Sequence, residues 1–252
     1  MNYLNAIPTI FKVKKYSEIK LLFSPWYHNF AELGVRTPFP ADKTYKAYQE
    51  LKGEILDKYI AIAMQSIRKK KSSEIRIVEY FAADCYHGIF ALSLDENSSL
   101  RAIDKLGDSG EGAKRDHNFD KAKFISRILN LSNRIKYLVG DVFEYRGECD
   151  LLLNIGGLYH VEEPLKLVLE MRKMLPEYAV IQSVVHEDKE IDDFLVSPAP
   201  FWNWGSRFSY GYLRNAILES GYTIIEEDFN LLYLNERVED RGSAYFLAKR
   251  NT

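Results

Sequence analysis

Cys149 to Pro164, CDLLLNIGGLYHVEEP, is the stretch on which the fold reading turns. Leu151 to Ile155 is a short unbroken apolar run, the pattern of a strand buried on both faces. It closes in Asn154, Ile155, Gly156 and Gly157, where small residues permit a tight turn. Tyr159 and His160 then fall at the mouth of the sheet, and Pro164 opens a helix where its missing N–H costs nothing. Leu165, Val168, Leu169 and Met171 give that helix its apolar face.

Working outward, the same alternation repeats. Ile75 to Ala83, Leu100 to Asp104, Ile135 to Val139 and Ala179 to Val185 read as further strands. Between them lie helical patterns, one starting over Gly88 to Leu94 and one carried by Phe119, Ala122, Ile125, Ile128 and Leu129. Strands alternating with helices imply βαβ units and a parallel sheet covered on both faces. The tail differs. A helix from about Arg207 to Ser220 stops at Gly221, a natural C-cap, and Tyr222 to Leu232 reads as a strand. A polar turn, Asn235 to Gly242, leads into Ser243 to Lys249, and strands joined only by a loop pair antiparallel. Upstream, Tyr45, Tyr48, Leu51, Ile55, Tyr59, Ile62 and Ile67 recur at three- and four-residue spacing, which predicts an amphipathic helix over Asp42 to Lys71. Its basic end, Arg68 to Lys71, complements the helix dipole and could also touch phosphates. The expectation is an α/β, Rossmann-like protein whose mostly parallel seven-stranded sheet ends in a C-terminal antiparallel hairpin. Residues 1–72 are expected as an N-terminal helical cap and residues 73–252 as the Rossmann-like domain.

The bulk numbers set limits. With 34 basic against 36 acidic residues the net charge is −2, so no bulk electrostatic hold on nucleic acid is indicated. No apolar run approaches the roughly 20 residues of a membrane helix. Cys85 and Cys149 form no CxxC pair and read as buried reduced thiols; with no secretion signal at Met1 to Ile10, a soluble cytoplasmic protein is expected. The histidines show no metal-ligand spacing, and no metal is predicted. Seventeen Tyr, 14 Phe and 3 Trp place some rings at the surface or along a cleft.

Ligands of open parallel sheets bind outside the carboxyl ends of the strands, so residues where strands stop are the candidates. The first strand runs into Glu79-Tyr80-Phe81-Ala82-Ala83-Asp84-Cys85-Tyr86-His87-Gly88, with an acid at Glu79 or Asp84. Asp104 closes the second strand, where a carboxylate can accept both hydroxyls of a ribose. The following Gly107 to Gly112 loop lacks the Gly-Lys-Ser/Thr ending of a P-loop. Asp141 and Val142 follow the third strand, within reach of an adenine amino group. Trp202, Trp204 and Arg207 can reach over the sheet edge to grip an aromatic or anionic acceptor, or bury their rings in a rigid connection. Trp26, Tyr27, His28 and Arg36 are expected to complete that pocket. Arg241 is either a pocket residue or a salt-bridge partner.

Together these motifs resemble the class I S-adenosylmethionine-dependent methyltransferase superfamily. The Leu158-Tyr159-His160 turn before the Pro-started helix is similar to that of the branch containing the tRNA wobble-uridine carboxymethyltransferases, and the resemblance spans about Glu74 to Lys249. It implies S-adenosylmethionine as cofactor, held by Glu79 or Asp84 with Cys85 and Gly88, by Asp104 at the ribose, by Asp141 and Val142 at adenine, and by Asn154 and Gly156 along the methionine. Tyr159 and His160 would face the transferred group. His160, with His186 as second choice, is the candidate base, since imidazole titrates near neutrality; a loop-capping histidine is the other reading. Such sites usually carry several glycines in the first loop, and here only Gly88 is present. A small-molecule acceptor is expected. The alternatives are methyl or carboxymethyl transfer to tRNA, with Gly34 to Phe39 similar to the carboxymethyltransferases' basic-Gly-Pro-Phe segment, and a non-catalytic binding protein of the same fold.

Overall fold

The computed structural model describes residues 26–35, 37, 43–105, 118–191, 193–200, 204–233 and 235–251. Helices run over Lys43–Arg68 (α1), Tyr86–Ser93 (α2), Asn118–Ile128 (α3), Pro164–Lys173 (α4) and Tyr210–Glu219 (α5). Strands run over Ile75–Tyr80 (β1), Ser98–Asp104 (β2), Ile135–Val139 (β3), Leu151–Ile155 (β4), Tyr178–Val185 (β5), Leu195–Val196 (β6), Arg207–Phe208 (β7), Tyr222–Leu231 (β8) and Gly242–Arg250 (β9). Seven of them form one sheet in the order β3-β2-β1-β4-β5-β9-β8. β3, β2, β1, β4 and β5 pair parallel; β9 pairs antiparallel with both β5 and β8. This is the expected Rossmann-like sheet with its C-terminal antiparallel pair. The chain order reverses between β1 and β4, which makes the crevice above them the switch point.

Both sheet faces are covered. On one, Leu56, Ile60, Met64 and Ile67 of α1 join Ile89, Phe124 and Ile125 over Ile77, Leu100, Leu153 and Val180. On the other, Leu167, Val168 and Met171 of α4 join Leu213 and Ile217 of α5 over Val78, Leu152, Ile181 and Phe246. Helix α1 is therefore part of the core of the sheet, not only a lid over it. Its end is tied down by Arg68, which pairs with Asp95 and donates to the Lys71 and Ser73 carbonyls. Lys70 pairs with Glu177 and Lys71 with Asp150, so the basic run is spent on carboxylates at the amino edge of the sheet.

Most element boundaries move by one to three residues from the sequence reading, and two of the shifts bear on the site. β1 stops at Tyr80 because Phe81 enters the left-handed region (φ 53°), which no strand continues through. The helix expected from Arg207 begins at Tyr210. Arg207 and Phe208 instead pair with Leu195 and Val196, and the Ser209 side chain caps α5 by accepting the Tyr212 N–H at 3.0 Å. Gly221 (φ 81°) follows that helix, as the C-cap reading anticipates.

Candidate functional site

A cavity of about 1110 Å³ opens at the carboxyl edge of the sheet, on the face covered by α1, α2 and α3. Side chains alternate along a strand, so Glu79, Asp104, Ile155 and Gln182 share that face and reach the cavity. Their neighbours Tyr80 and Asn154 point the other way, toward α4.

The loop after β1 forms one wall. Phe81 (φ 53°), Ala83 (φ 44°) and Cys85 (φ 59°) are all left-handed, at the every-second-residue spacing where glycine would be easiest. Three such residues in five are strained by roughly 1–2 kcal/mol each, and strain of this kind collects at ligand sites. Asp104 braces the loop by accepting the Ala83 N–H at 2.8 Å. Glu79 is buried, supported by the Gly88 N–H, and its Oε2 has no hydrogen-bond partner. Burial, with Asp84 and Asp104 nearby, holds its carboxyl well above the usual range. Gly88 is required here: a Cβ on it would stand 2.5 Å from Glu79 Oε2 and 2.7 Å from Leu100.

At the β3 end, Asp141 accepts the Phe143 N–H at 2.8 Å, and Asp141, Val142 and Phe143 line the cavity. At the β4 end, Gly156 (φ 73°) leaves the floor open, and the Phe81 ring lies against Gly157 where any side chain would collide with it. Tyr159 and His160 sit on a short 3₁₀ turn and both face the cavity. Trp204 stacks on His160 at 5.2 Å between ring centroids, and Gly205 packs so closely on the Tyr159 carbonyl that a Cβ would come within 2.5 Å. Arg207 pairs with Asp240 and lies 5.7 Å from the Tyr159 ring centroid, supporting the turn from behind. Burial, then the Arg207 charge, push the His160 imidazole down to about 4, so it is uncharged at neutral pH. Burial also holds the Tyr159 phenol above its usual range.

Several expected residues lie elsewhere. The Asn154 side chain donates to Met171 Sδ at 3.2 Å beneath the sheet, so it does not line the cavity. Asp84, Cys85 and Gly88 are buried behind the loop; Asp84 Oδ1 is 2.7 Å from His28 Nδ1, and Oδ2 accepts the His28 backbone N–H. Asp84 thus anchors the amino-terminal segment, and the strand-end acid in the cavity is Glu79. Trp26 packs edge-on to Phe30 in the core, while Tyr27 and His28 reach the cavity. Arg207 is a support and not a lining residue. His186 accepts the Asp188 N–H outside the cavity, and Arg241 pairs with Glu187 at 2.6 Å. Arg36, Trp202, and the Gly107 to Gly112 loop lie outside the described residues.

Residues without a strand-end signal complete the lining: Tyr48 and Lys52 from α1, His87 from α2, Asn118 from α3 and Gln182 from β5. Their buried polar atoms include His87 Nδ1 and Nε2, Asn118 Oδ1 and Gln182 Oε1, none with a partner. The helical spacing of α1 marks its core face but not which polar residue turns inward at its start. Among the described residues no group of three or more His, Cys, Asp or Glu is arranged to hold a metal, and no helix is long and apolar enough to cross a membrane.

No family model and no curated protein matches the chain. By structure it is similar to the N-terminal domain of EvdMO1 with SAH bound, at 17% identity and TM-score 0.60 over 95% of this chain and 98% of that one. It is also similar to magnesium protoporphyrin IX methyltransferase (ChlM) from Synechocystis PCC 6803 with bound SAM, at 11% identity and TM-score 0.57, covering 84% and 86% of the two chains. A third similar structure is the [4+2]-cyclase SpnF, at 13% identity and TM-score 0.56, covering 78% and 82%. The chain therefore has the class I methyltransferase fold. A cyclase among these structures illustrates that the fold alone does not fix the reaction.

Proposed function

We propose that this protein is an S-adenosylmethionine-dependent methyltransferase acting on a small molecule. The observation that carries the reading is the set of unpartnered buried atoms around one cavity: Glu79 Oε2, both His87 nitrogens, Asn118 Oδ1 and Gln182 Oε1. Buried polar atoms left without partners are costly, and a polar ligand satisfies them. The cofactor's charges fit this lining. Glu79, disfavoured as an anion while alone, suits a cationic amino-acid end, and Asp104 at the β2 end suits ribose hydroxyls. Asp141 and Val142, which line the cavity at the β3 end, are the residues assigned to adenine in this reading. At about 1110 Å³ the cavity exceeds the usual size for one ligand, leaving room for an acceptor beside the nucleoside.

When bound, the cofactor supplies an electrophilic methyl group. The chain's own contribution is alignment and exclusion of water, which in favourable cases lowers a barrier by about 7–11 kcal/mol. Tyr159, kept protonated, offers a hydrogen bond to the acceptor. His160, uncharged and held flat by Trp204, offers a ring nitrogen as hydrogen-bond acceptor to the substrate. With its imidazole pushed down to about 4, it is a weaker base than the sequence reading expected. The aromatic rings of Tyr48, Phe81, Tyr159 and Trp204 favour a planar acceptor. Three of the four cations of the basic run are paired with carboxylates at the far edge of the sheet, so nothing on that run favours a tRNA acceptor.

Calorimetric titration with S-adenosylmethionine and S-adenosylhomocysteine tests the reading. Saturable binding of both to the wild type is expected. Absence of binding by either at millimolar nucleoside removes the proposal.

A further inference from the structure

Lys52 projects from α1 into the cavity, over the ends of β4 and β5. A methyl group placed on Gly156 would lie 3.9 Å from Lys52 Nζ and 3.7 Å from Gln182 Oε1, so the two groups flank one point on the floor. Gly156, left-handed and without a side chain, keeps that point empty. Gln182 is fixed from behind, its Nε2 donating to Ser243 Oγ at 2.9 Å, which leaves Oε1 free and facing the cavity. Lys52 makes no hydrogen bond or ion pair with any described residue. Other cations near the core do have a carboxylate, among them Arg68 with Asp95, Lys71 with Asp150 and Arg207 with Asp240. Of the acids lining this cavity, Glu79, Asp104 and Asp141 stand toward the β1, β2 and β3 ends and Glu162 and Glu163 lie beyond the turn after β4, while Lys52 stands over Gly156.

Lys52 is half-buried in the cavity wall, where desolvation outweighs the attraction of Asp84 and pulls its amine down to about 8. Neither packing nor ion pairing explains a lysine at this position; a negatively charged ligand group does.

We propose that Lys52, with Gln182 beside it, forms a carboxylate-binding subsite between the β4 and β5 ends of the cavity. The inference rests on the methyltransferase reading only for the origin of that carboxylate. It belongs either to the amino-acid end of the cofactor or to an aromatic acid bound as acceptor. In both cases Lys52 donates to the carboxylate, while Gln182 Oε1 takes an adjacent N–H or O–H of the ligand.

Lys52→Met and Lys52→Gln, each checked by circular dichroism and thermal melting, separate these sources from each other and from a structural role. S-Adenosylhomocysteine is titrated against 5′-methylthioadenosine, which lacks the amino-acid end. Separately, 2-naphthoate is titrated against its neutral amide at saturating S-adenosylhomocysteine, and again with no nucleoside present. If the carboxylate is the cofactor's, both variants lose at least about tenfold in S-adenosylhomocysteine affinity and nothing in methylthioadenosine affinity. If it is the acceptor's, both nucleosides bind unchanged, while 2-naphthoate binding falls at least about tenfold and the amide is unaffected. Unchanged binding in all titrations overturns the proposal. So does an equal loss for charged and neutral partners, or failure of 2-naphthoate to bind the wild type when the nucleosides are also insensitive. If the wild type binds neither nucleoside, the methyltransferase reading fails, and the naphthoate titration without nucleoside still decides the subsite.

Discussion

Asp57→Asn is expected to stabilise the protein at alkaline pH and to leave it unchanged in mild acid. Asp57 lies on α1, facing α2. Its Oδ2 accepts the Tyr86 hydroxyl at 3.1 Å, while Oδ1 is buried with no partner at all. Burial raises the carboxyl from 3.8 to about 7, with the Tyr86 hydrogen bond opposing and Glu32 assisting. A raised carboxylate keeps its proton in the folded chain after the unfolded chain has released it. Stability contributed by the neutral acid is therefore complete below about pH 4 and is lost as pH rises to about 7. At about 1.4 kcal/mol per pH unit the loss is at most about 4 kcal/mol, and relaxation around the charge brings it nearer 2–3 kcal/mol. Asparagine keeps an acceptor for Tyr86 and carries no charge. The variant and the wild type should thus melt together near pH 4.5 and diverge by roughly 4–10 °C near pH 8.5, the variant higher. Groups common to both proteins cancel in the difference, so melting curves across this range are a sufficient assay. Parallel curves from about pH 5 to pH 8.5 would refute the claim that α1 docks through a neutral Asp57.

Leu175 is about half exposed and left-handed (φ 56°) just beyond α4, so Leu175→Gly should stabilise by about 1 kcal/mol, read as a rise of roughly 2–4 °C in melting temperature. Gly205→Ala combines a left-handed backbone with a 2.5 Å approach to the Tyr159 carbonyl and should cost about 2–4 kcal/mol in urea unfolding. Asp104→Asn keeps an acceptor for the Ala83 N–H while removing the charge. Its melting temperature should stay near that of the wild type, while calorimetric affinity for S-adenosylhomocysteine falls about tenfold.

The order of strands and helices was legible because hydrophobic periodicity is local. The run Leu151 to Ile155 is buried throughout its length, Pro164 begins its helix, and Gly221 ends the helix before β8. Strand ends were legible only as positions along the chain. Asp104 and Glu79 reach the cavity while Asn154, equally a strand-end residue, turns to Met171, because neighbouring residues of a strand face opposite sides. The sparse glycines of the first loop read as a defect. In the fold, Phe81, Ala83 and Cys85 adopt left-handed conformations despite their side chains, since the surrounding sheet and the Asp104 hydrogen bond hold them there.

Sequence alone determined the α/β alternation, the antiparallel finish and the set of acids at the strand ends, all of which follow from patterns within a few residues. Tertiary structure alone decided that Asp84 is consumed by His28, that Arg207 belongs to Asp240, and that Lys52 stands over Gly156. Those outcomes depend on groups 33 to 104 residues apart being brought together. Only the packing of α1 and the register of the sheet specify which side chain meets which.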